Sequence, residues 1–326
     1  MGTIYAFANQ KGGVGKTTTA VNVGAFLAWQ GRRVLLLDLD AQGNCSTSVG
    51  VDRFALPASI YDVLMGGVTL REILTPTAME RLTIAPSVPM LAGAEVELIA
   101  APDREFILRR ALAAASEGYS TERSPQRSIP RAGNESESLA IRGFVPYSIR
   151  DEFDHILIDC PPSLGILTVN ALSAADFVVV PVQCEYLALE GLAQLMQTIA
   201  LVRENLNPTL ELFGLVMTMF DPRARLGAQV MQEVRTHFPN EVFETFIPRN
   251  VRVAEAPSYG EPLVKFDIHS RGAEAYEKLT NEFLAREARL ANSRWQIANS
   301  TEPAAIGYQP SAISHRLSAI CQPEGQ

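Results

Sequence analysis

Lys11-Gly12-Gly13-Val14-Gly15-Lys16-Thr17-Thr18 decides how this chain folds, because it reads as a phosphate-binding loop with one lysine more than the common form needs. The common form is G-x-x-x-x-G-K-S/T; here Gln10 stands where its first glycine would be, and Lys11 is the addition. Thr3 to Asn9 reads as a short buried strand and Thr17 to Gln30 as a helix ended by Gly31, so the glycines fall at a strand-to-helix turn. Glycines there let backbone N–H groups curl around phosphate oxygens, and the positive end of the helix dipole points at the same anion. Gly12, Gly13, Val14, Gly15 and Thr18 form the cradle, Lys16 is placed to reach the β and γ phosphates of a triphosphate, and the Thr17 hydroxyl to ligate Mg²⁺. A glycine-rich turn of any α/β protein is the bland alternative; the strand, the helix and the K-T-T run argue against it.

Outward from the loop, strands alternate with helices. Arg33 to Asp40 is a second buried strand, Leu82 to Pro86 a weaker third, and His155 to Cys160, Phe177 to Val182 and Leu212 to Phe220 follow, with helical stretches such as Leu189 to Asn205 between them. Nearly continuous apolar strands with intervening helices predict an α/β fold: a doubly wound, mostly parallel sheet with helices on both faces. Ligands of such sheets bind beyond the carboxyl ends of the strands. Asp38, Asp40 and Asp159 fall at those ends, on the rim that carries the phosphate loop.

Asp159 closes the apolar run Ile156-Leu157-Ile158 and is similar to the second acidic motif of phosphate-loop NTPases, which holds Mg²⁺ directly or through water. Asp40 is placed to orient the water that attacks the γ phosphate, with Asp38 supporting the metal shell. Each could instead cap a turn. For Asp159, followed by Pro161-Pro162, the functional reading is favoured, whereas for Asp38 the two stand level.

Composition narrows the classes. The chain has 326 residues, 47% of them hydrophobic, enough for one large α/β domain with extras or for two domains. Its net charge of −8 argues against general coating of nucleic acid and leaves room for a local basic patch. The cysteines, Cys45, Cys160, Cys184 and Cys321, lack C-x-x-C spacing, and the four histidines are scattered, so neither a zinc site nor a disulfide framework is expected. The first strand begins almost at once, leaving no room for a signal peptide, and no apolar run approaches the ~18 residues of a membrane span, so no membrane insertion is expected.

Four motifs in order carry a resemblance: Asn9 to Asn22 around the loop; Asp38-Leu39-Asp40-Ala41-Gln42-Gly43-Asn44; Asp159-Cys160-Pro161-Pro162-Ser163-Leu164-Gly165; and Ile247-Pro248-Arg249-Asn250-Val251-Arg252-Val253-Ala254-Glu255-Ala256-Pro257. Together they resemble the ParA/Soj chromosome and plasmid partitioning ATPases, the deviant Walker A branch of P-loop NTPases that also holds MinD and the nitrogenase iron protein. The resemblance covers about Met1 to Tyr119 and Asp154 to Leu290. It departs at Ala41, where the family often has proline, and in lacking an N-terminal helix-turn-helix extension, so the chain looks like the short chromosomal type.

The resemblance implies a Mg²⁺-dependent ATPase that closes face to face into a homodimer around two ATP molecules. Lys11 would reach across to the partner's nucleotide, as an arginine finger does. Catalysis would rest on Lys11, Lys16 and Asp40, and Gly12 would leave space for the two backbones to approach. Pro248 and Asn250 match positions that border the adenine. Arg223, Arg252 and, as an addition, Arg225 match basic positions that bind DNA without sequence preference in the ATP form, through salt-sensitive phosphate contacts. A ParB-like centromere-binding partner would stimulate hydrolysis, and the protein would be cytoplasmic and nucleoid-associated.

Two segments stand outside the resemblance. Residues 120–153 read as an insertion without catalytic role, at the end opposite the nucleotide rim; Ser120 to Ser138 is serine- and proline-bearing loop, while Leu139 to Phe153 is more apolar and suited to pack on the domain. Residues 291–326 read as a poorly ordered, proline-interrupted tail after an ATPase domain of residues 1–290. A MinD-like membrane ATPase regulating cell division would need a basic amphipathic C-terminal helix, which that tail does not offer. An iron–sulfur reductase would need a bridging cysteine pair, and Cys45, Cys160 and Cys184 lie instead on or beside the nucleotide motifs.

Overall fold

Strand β1 (Thr3–Phe7) shows why the sheet is covered on both faces. Ile4 and Ala6 enter one apolar cluster and Tyr5 and Phe7 the other, all four buried, which is what a continuous apolar run produces when side chains alternate across a strand. Strand β2 (Val34–Asp38) repeats the division, with Leu35 and Leu37 on the first side and Val34 and Leu36 on the second. The computed structural model describes residues 1–116, 147–185 and 188–299.

Along the chain, β1 leads through the glycine loop into α1 (Lys16–Trp29), then β2, α2 (Asn44–Ser48) and α3 (Ile60–Leu64). A small hairpin, β3 (Thr75–Pro76) and β4 (Leu82–Ala85), precedes α4 (Leu91–Glu97), α5 (Ile107–Ala113) and β5 (Ala115–Ser116). From residue 147 come β6 (Tyr147–Ser148), α6 (Ile149–Glu152), β7 (His155–Asp159), α7 (Ile166–Ala174), β8 (Phe177–Gln183), α8 (Ala188–Asn205) and β9 (Glu211–Thr218). The last part is helical: α9 (Arg225–His237), α10 (Val251–Glu255), α11 (Leu263–Phe266) and α12 (Arg271–Asn299). Seven strands form one sheet in the order β3-β4-β2-β7-β1-β8-β9, parallel throughout except for β3. The expected doubly wound sheet is therefore present, with β3 as an added antiparallel edge.

Two packing details fix the layers. Gly24 lets α1 lie hard on β2 and β7, since a Cβ there would stand 2.9 Å from Leu36 Cδ2 and 3.2 Å from Leu157 Cδ1. Helix α12 is stapled to the middle of the sheet: Glu287 accepts from the Tyr5 hydroxyl at 2.8 Å and faces His155 Nε2 at 3.1 Å. Next to it, the Arg286 guanidinium donates to the carbonyls of Phe213 and Glu241 at 2.8 and 2.7 Å and lies 4.0 Å from the Phe243 ring centre.

Both expected domain boundaries shift among the described residues. Helix α12 runs on past Leu290 to Asn299, and Arg294 within that extension pairs with Glu211 at 3.0 Å, so 291–299 is helix rather than tail. Residues 147–153 belong to the domain rather than to an insertion: β6 pairs with β5, α6 carries a capping box from Ser148 and Asp151, and Ile149 and Phe153 join the core. The amide of Gly2 bonds the Arg150 carbonyl, tying this stretch to the start of the chain. The expectations for 117–146 and 300–326 lie outside the described residues.

Candidate nucleotide site

Most of the expected strands overshoot the observed ones at their carboxyl ends, although β8 runs one residue longer than expected; Asn9, Asp40, Cys160 and Phe220 lie past the strands. That is where the site forms. Gly13 and Gly15 have φ of +73° and +85°, conformations that an L side chain rarely adopts, and between them the chain turns from β1 into α1. Two side chains brace the turn. Asn9 donates to the Pro181 carbonyl at 2.7 Å and accepts from the Lys11 amide at 3.0 Å, while the Thr218 hydroxyl donates to the Val14 carbonyl at 2.8 Å. The loop is thus held by β8 and β9 as well as by its own strand.

The two lysines of the loop part company. Lys16 is 6% exposed and its Nζ donates to the Lys11 carbonyl at 3.1 Å. Burial lowers its pKa, while the charges of Asp159, Cys160 and Asp40 act in the opposite sense. Lys11 is half-exposed, and its Nζ lies 3.0 Å from the Glu185 carboxylate. Thr17 and Thr18 follow on the first turn of α1, and Asn22 anchors that helix by donating to the Thr18 carbonyl at 2.8 Å and accepting from the Leu263 amide at 2.9 Å.

The aspartates converge on the loop and differ in their partners. Asp38 is fully buried; its Oδ2 accepts from the Ser46 amide and hydroxyl at 2.9 and 2.7 Å, and its Oδ1 from the Asp40 amide at 3.2 Å. Burial pushes its pKa up to about 6 against the pull of those donors. Its oxygens are thus engaged in holding the Asp40–Ser46 turn. Asp40 accepts from the Gln42 amide at 2.9 Å through Oδ1, and its carbonyl is fixed by the Ser87 hydroxyl at 2.8 Å.

Asp159 is the exception. It is fully buried and neither carboxylate oxygen has a hydrogen-bond partner. Burial and the charge of Asp38 push its pKa well up; the Thr17 hydroxyl and the Lys16 ammonium counter this without either making a well-aligned hydrogen bond to it. A dry carboxylate beside a loop threonine fits a divalent cation. Among the described residues there is no cluster of three or more His, Cys, Asp or Glu that could hold a metal.

Beyond β9 lie the other expected site residues. Pro248 forms an isolated bridge with Phe220, and Asn250 caps α10 by accepting from the Arg252 amide at 2.8 Å. Arg223 sits in the turn before α9 and Arg225 is the first residue of that helix, both exposed. Arg252 is also exposed, yet its guanidinium pairs with Glu255 at 3.0 Å and Asp267 at 3.3 Å. All lie beyond the carboxyl end of β9, whose last residue holds the phosphate loop.

The chain matches the AAA domain family (AAA_31) over residues 2–121 and 140–212. Soj, the sporulation initiation inhibitor protein of Bacillus subtilis, is 45% identical over 285 residues, 87% of this chain and 99% of that protein. The chromosome partitioning protein ParA of Caulobacter vibrioides is 46% identical over 284 residues, 87% of this chain and 94% of that protein. The chain belongs to the ParA/Soj family of chromosome-partitioning ATPases.

Solved structures share the fold. A Mycobacterium smegmatis protein named cobyrinic acid a,c-diamide synthase, crystallised with ADP and magnesium, superposes with a TM-score of 0.67 at 36% identity, covering 88% of this chain and 96% of that one. The cell division ATPase MinD of Pyrococcus furiosus, at 23% identity and a TM-score of 0.62 over 87% of this chain and 99% of that one, shares the fold. Sequence reasoning for this ParA/Soj-family chain passed over Asn9, Ser46, Ser87, Glu185 and Thr218. Asn9 stood inside a recognised motif; Ser87, Glu185 and Thr218 act on residues distant in sequence, and Ser46 acts from the first turn of α2 on Asp38, contacts for which the sequence carries no local signal.

Proposed function

We propose that this ParA/Soj-family ATPase is an ATP-driven DNA-partitioning switch that dimerises on ATP, binds DNA without sequence preference and lets go on hydrolysis. The observation that carries the reading is the divergence of the loop lysines: Lys16 is buried against its own loop, while Lys11 is half-exposed and paired with Glu185 beyond the loop. Lys16 then serves the bound nucleotide, with the amides of Gly12 to Thr18 around its phosphates. Lys11 serves the nucleotide of a second copy.

Thr17 and Asp159 would hold Mg²⁺, which supplies charge neutralisation across the β and γ phosphates. Asp40 orients the attacking water, held in place by Ser87 and by the turn that Asp38 organises. Lys11, arriving from the partner, offsets charge on the transferring phosphoryl group, so that hydrolysis and dimer release are linked. Pro248 and Asn250 border the adenine. Arg223 and Arg225, with Arg252 beside them, contact DNA phosphates, and the dimer doubles their number. A ParB-like partner accelerates the step, and the site of action is the nucleoid in the cytoplasm.

The experiment is a comparison of mass by light scattering and of DNA retention with ATP and with ADP, for the wild type and for Lys11→Ala, Lys16→Ala and Asp40→Ala. Dimer and DNA binding confined to ATP, with both lost in Lys11→Ala, is the expected result. Equal DNA retention in the two nucleotides would sink the switch.

A further inference from the structure

Lys11 meets Glu185 because two separate stretches are held together at the rim. Asn9 ties the start of the phosphate loop to Pro181 on β8, and β8 ends two residues before Glu185. Glu185 is itself positioned: its Oε1 accepts from the Gln183 side-chain amide at 2.5 Å, its backbone N–H bonds the Gln183 carbonyl at 2.8 Å, and the preceding Cys184 amide bonds Thr218 on β9. Its other oxygen, Oε2, lies 3.0 Å from Lys11 Nζ. A carboxylate oxygen at that distance occupies the place a phosphate oxygen would take on the same ammonium.

We infer that Glu185 is a positioning residue that holds Lys11 on its own subunit until a partner's nucleotide competes for it, and so sets the threshold and lifetime of the ATP dimer. The inference rests on the reading in which Lys11 acts across the dimer. Reaching across the dimer to a partner's phosphate carries the ammonium out of contact with Glu185, so two ion pairs break for each dimer formed. With the γ phosphate gone, Glu185 recaptures the lysine and the dimer opens. An exposed ion pair is worth a factor of about five at most, so abolishing two of them tightens the dimer by about 2- to 25-fold.

The test uses the full chain as wild type, Glu185→Gln, Lys11→Ala and the double variant, with a non-hydrolysable ATP analogue driving dimerisation in sedimentation experiments. In parallel, the Lys11 amine of the nucleotide-free protein is acylated by a soluble reagent and quantified by peptide mass spectrometry. Glu185→Gln is expected to lower the dimer dissociation constant by that factor and to speed Lys11 acylation several-fold, and to change nothing in the Lys11→Ala background. A dimer unchanged or weakened by Glu185→Gln, with Lys11→Ala still impaired, overturns the role of Glu185 alone. A wild type that stays monomeric with the analogue, or a Lys11→Ala dimer as tight as the wild type, overturns the trans-acting lysine and this inference with it.

Discussion

Asp38 and Asp159 are register partners on β2 and β7, and one carboxylate has three protein donors while the other has none. Neighbours in the sheet thus do different jobs. Asp38→Ala should strand the Ser46 and Asp40 donors in a dry interior and cost about 2–4 kcal/mol in urea unfolding. Asp159→Asn should leave the nucleotide-free fold at least as stable, with Tm unchanged or raised, since burial already favours the uncharged carboxyl and no well-aligned hydrogen bond is lost. The same variant should lose the magnesium dependence of ADP binding in calorimetry. A marked loss of stability in Asp159→Asn would mean that the carboxylate supports the fold.

Neighbouring glycines should separate in the same way. A Cβ at Gly12 would meet only Pro162 Cβ, at 3.8 Å, so Gly12→Ala should change monomer stability by no more than about 0.5 kcal/mol while weakening ATP-driven dimerisation tenfold or more. Gly13 has open space around it but φ of +73°, so Gly13→Ala should cost about 1–2 kcal/mol in the monomer itself. Urea titrations with and without the ATP analogue distinguish the two.

Arg252 shares its charge with Glu255 and Asp267, whereas Arg223 and Arg225 face solvent. Arg223→Glu and Arg225→Glu should therefore lower DNA retention more than Arg252→Glu. Each should reduce the salt slope of binding by about one for every DNA phosphate it leaves unneutralised, hence about two for a dimer. Retention measured across a salt series would expose a reversed order.

Glu287 has its pKa below the usual glutamate value of 4.5: burial acts to raise it, and the hydrogen bonds and charge of His155 with the Tyr5 hydroxyl outweigh that. A depressed carboxyl stabilises the fold above the unfolded-state value and loses that contribution as pH falls through the folded one. Glu287→Gln should accordingly show its full deficit relative to wild type above about pH 5, with the gap closing below about pH 4. Chemical unfolding at a series of pH values reads this directly.

Residues 122–139 fall between the two family-matched stretches, and 147–153 carry core side chains. Deleting 122–139 should preserve folding and ATP hydrolysis. Deleting 120–153 should abolish folding, because Ile149, Phe153 and the Gly2 to Arg150 bond go with it. Circular dichroism melts and phosphate release on the two deletions settle the boundary.

Legibility followed sequence locality. The glycine loop, the apolar strands and Asp159 were readable because each is a short run whose chemistry is self-contained. Strand β3, two residues long and ending in Pro76, offered no pattern at all. Residues 147–153 looked like insertion because their partners, β5 and Gly2, lie far away in sequence. Asp38 was undecided for the same reason: its employment depends on Ser46, whose hydroxyl also meets the Ser87 amide 41 positions further on.

The first strand made is an interior one, with neighbours on both sides. β1 pairs with β7 and β8, Phe7 meeting Asp159 and Val179, so its second neighbour is translated about 170 residues later. At roughly 5–20 residues per second the ribosome takes roughly 10–30 s to supply it. Throughout that interval the glycine loop has no β8 to brace it through Asn9 and no β9 to brace it through Thr218. Nucleotide binding is thus a late event in biogenesis, and the nascent amino terminus, apolar on both faces, is the stretch most in need of a chaperone.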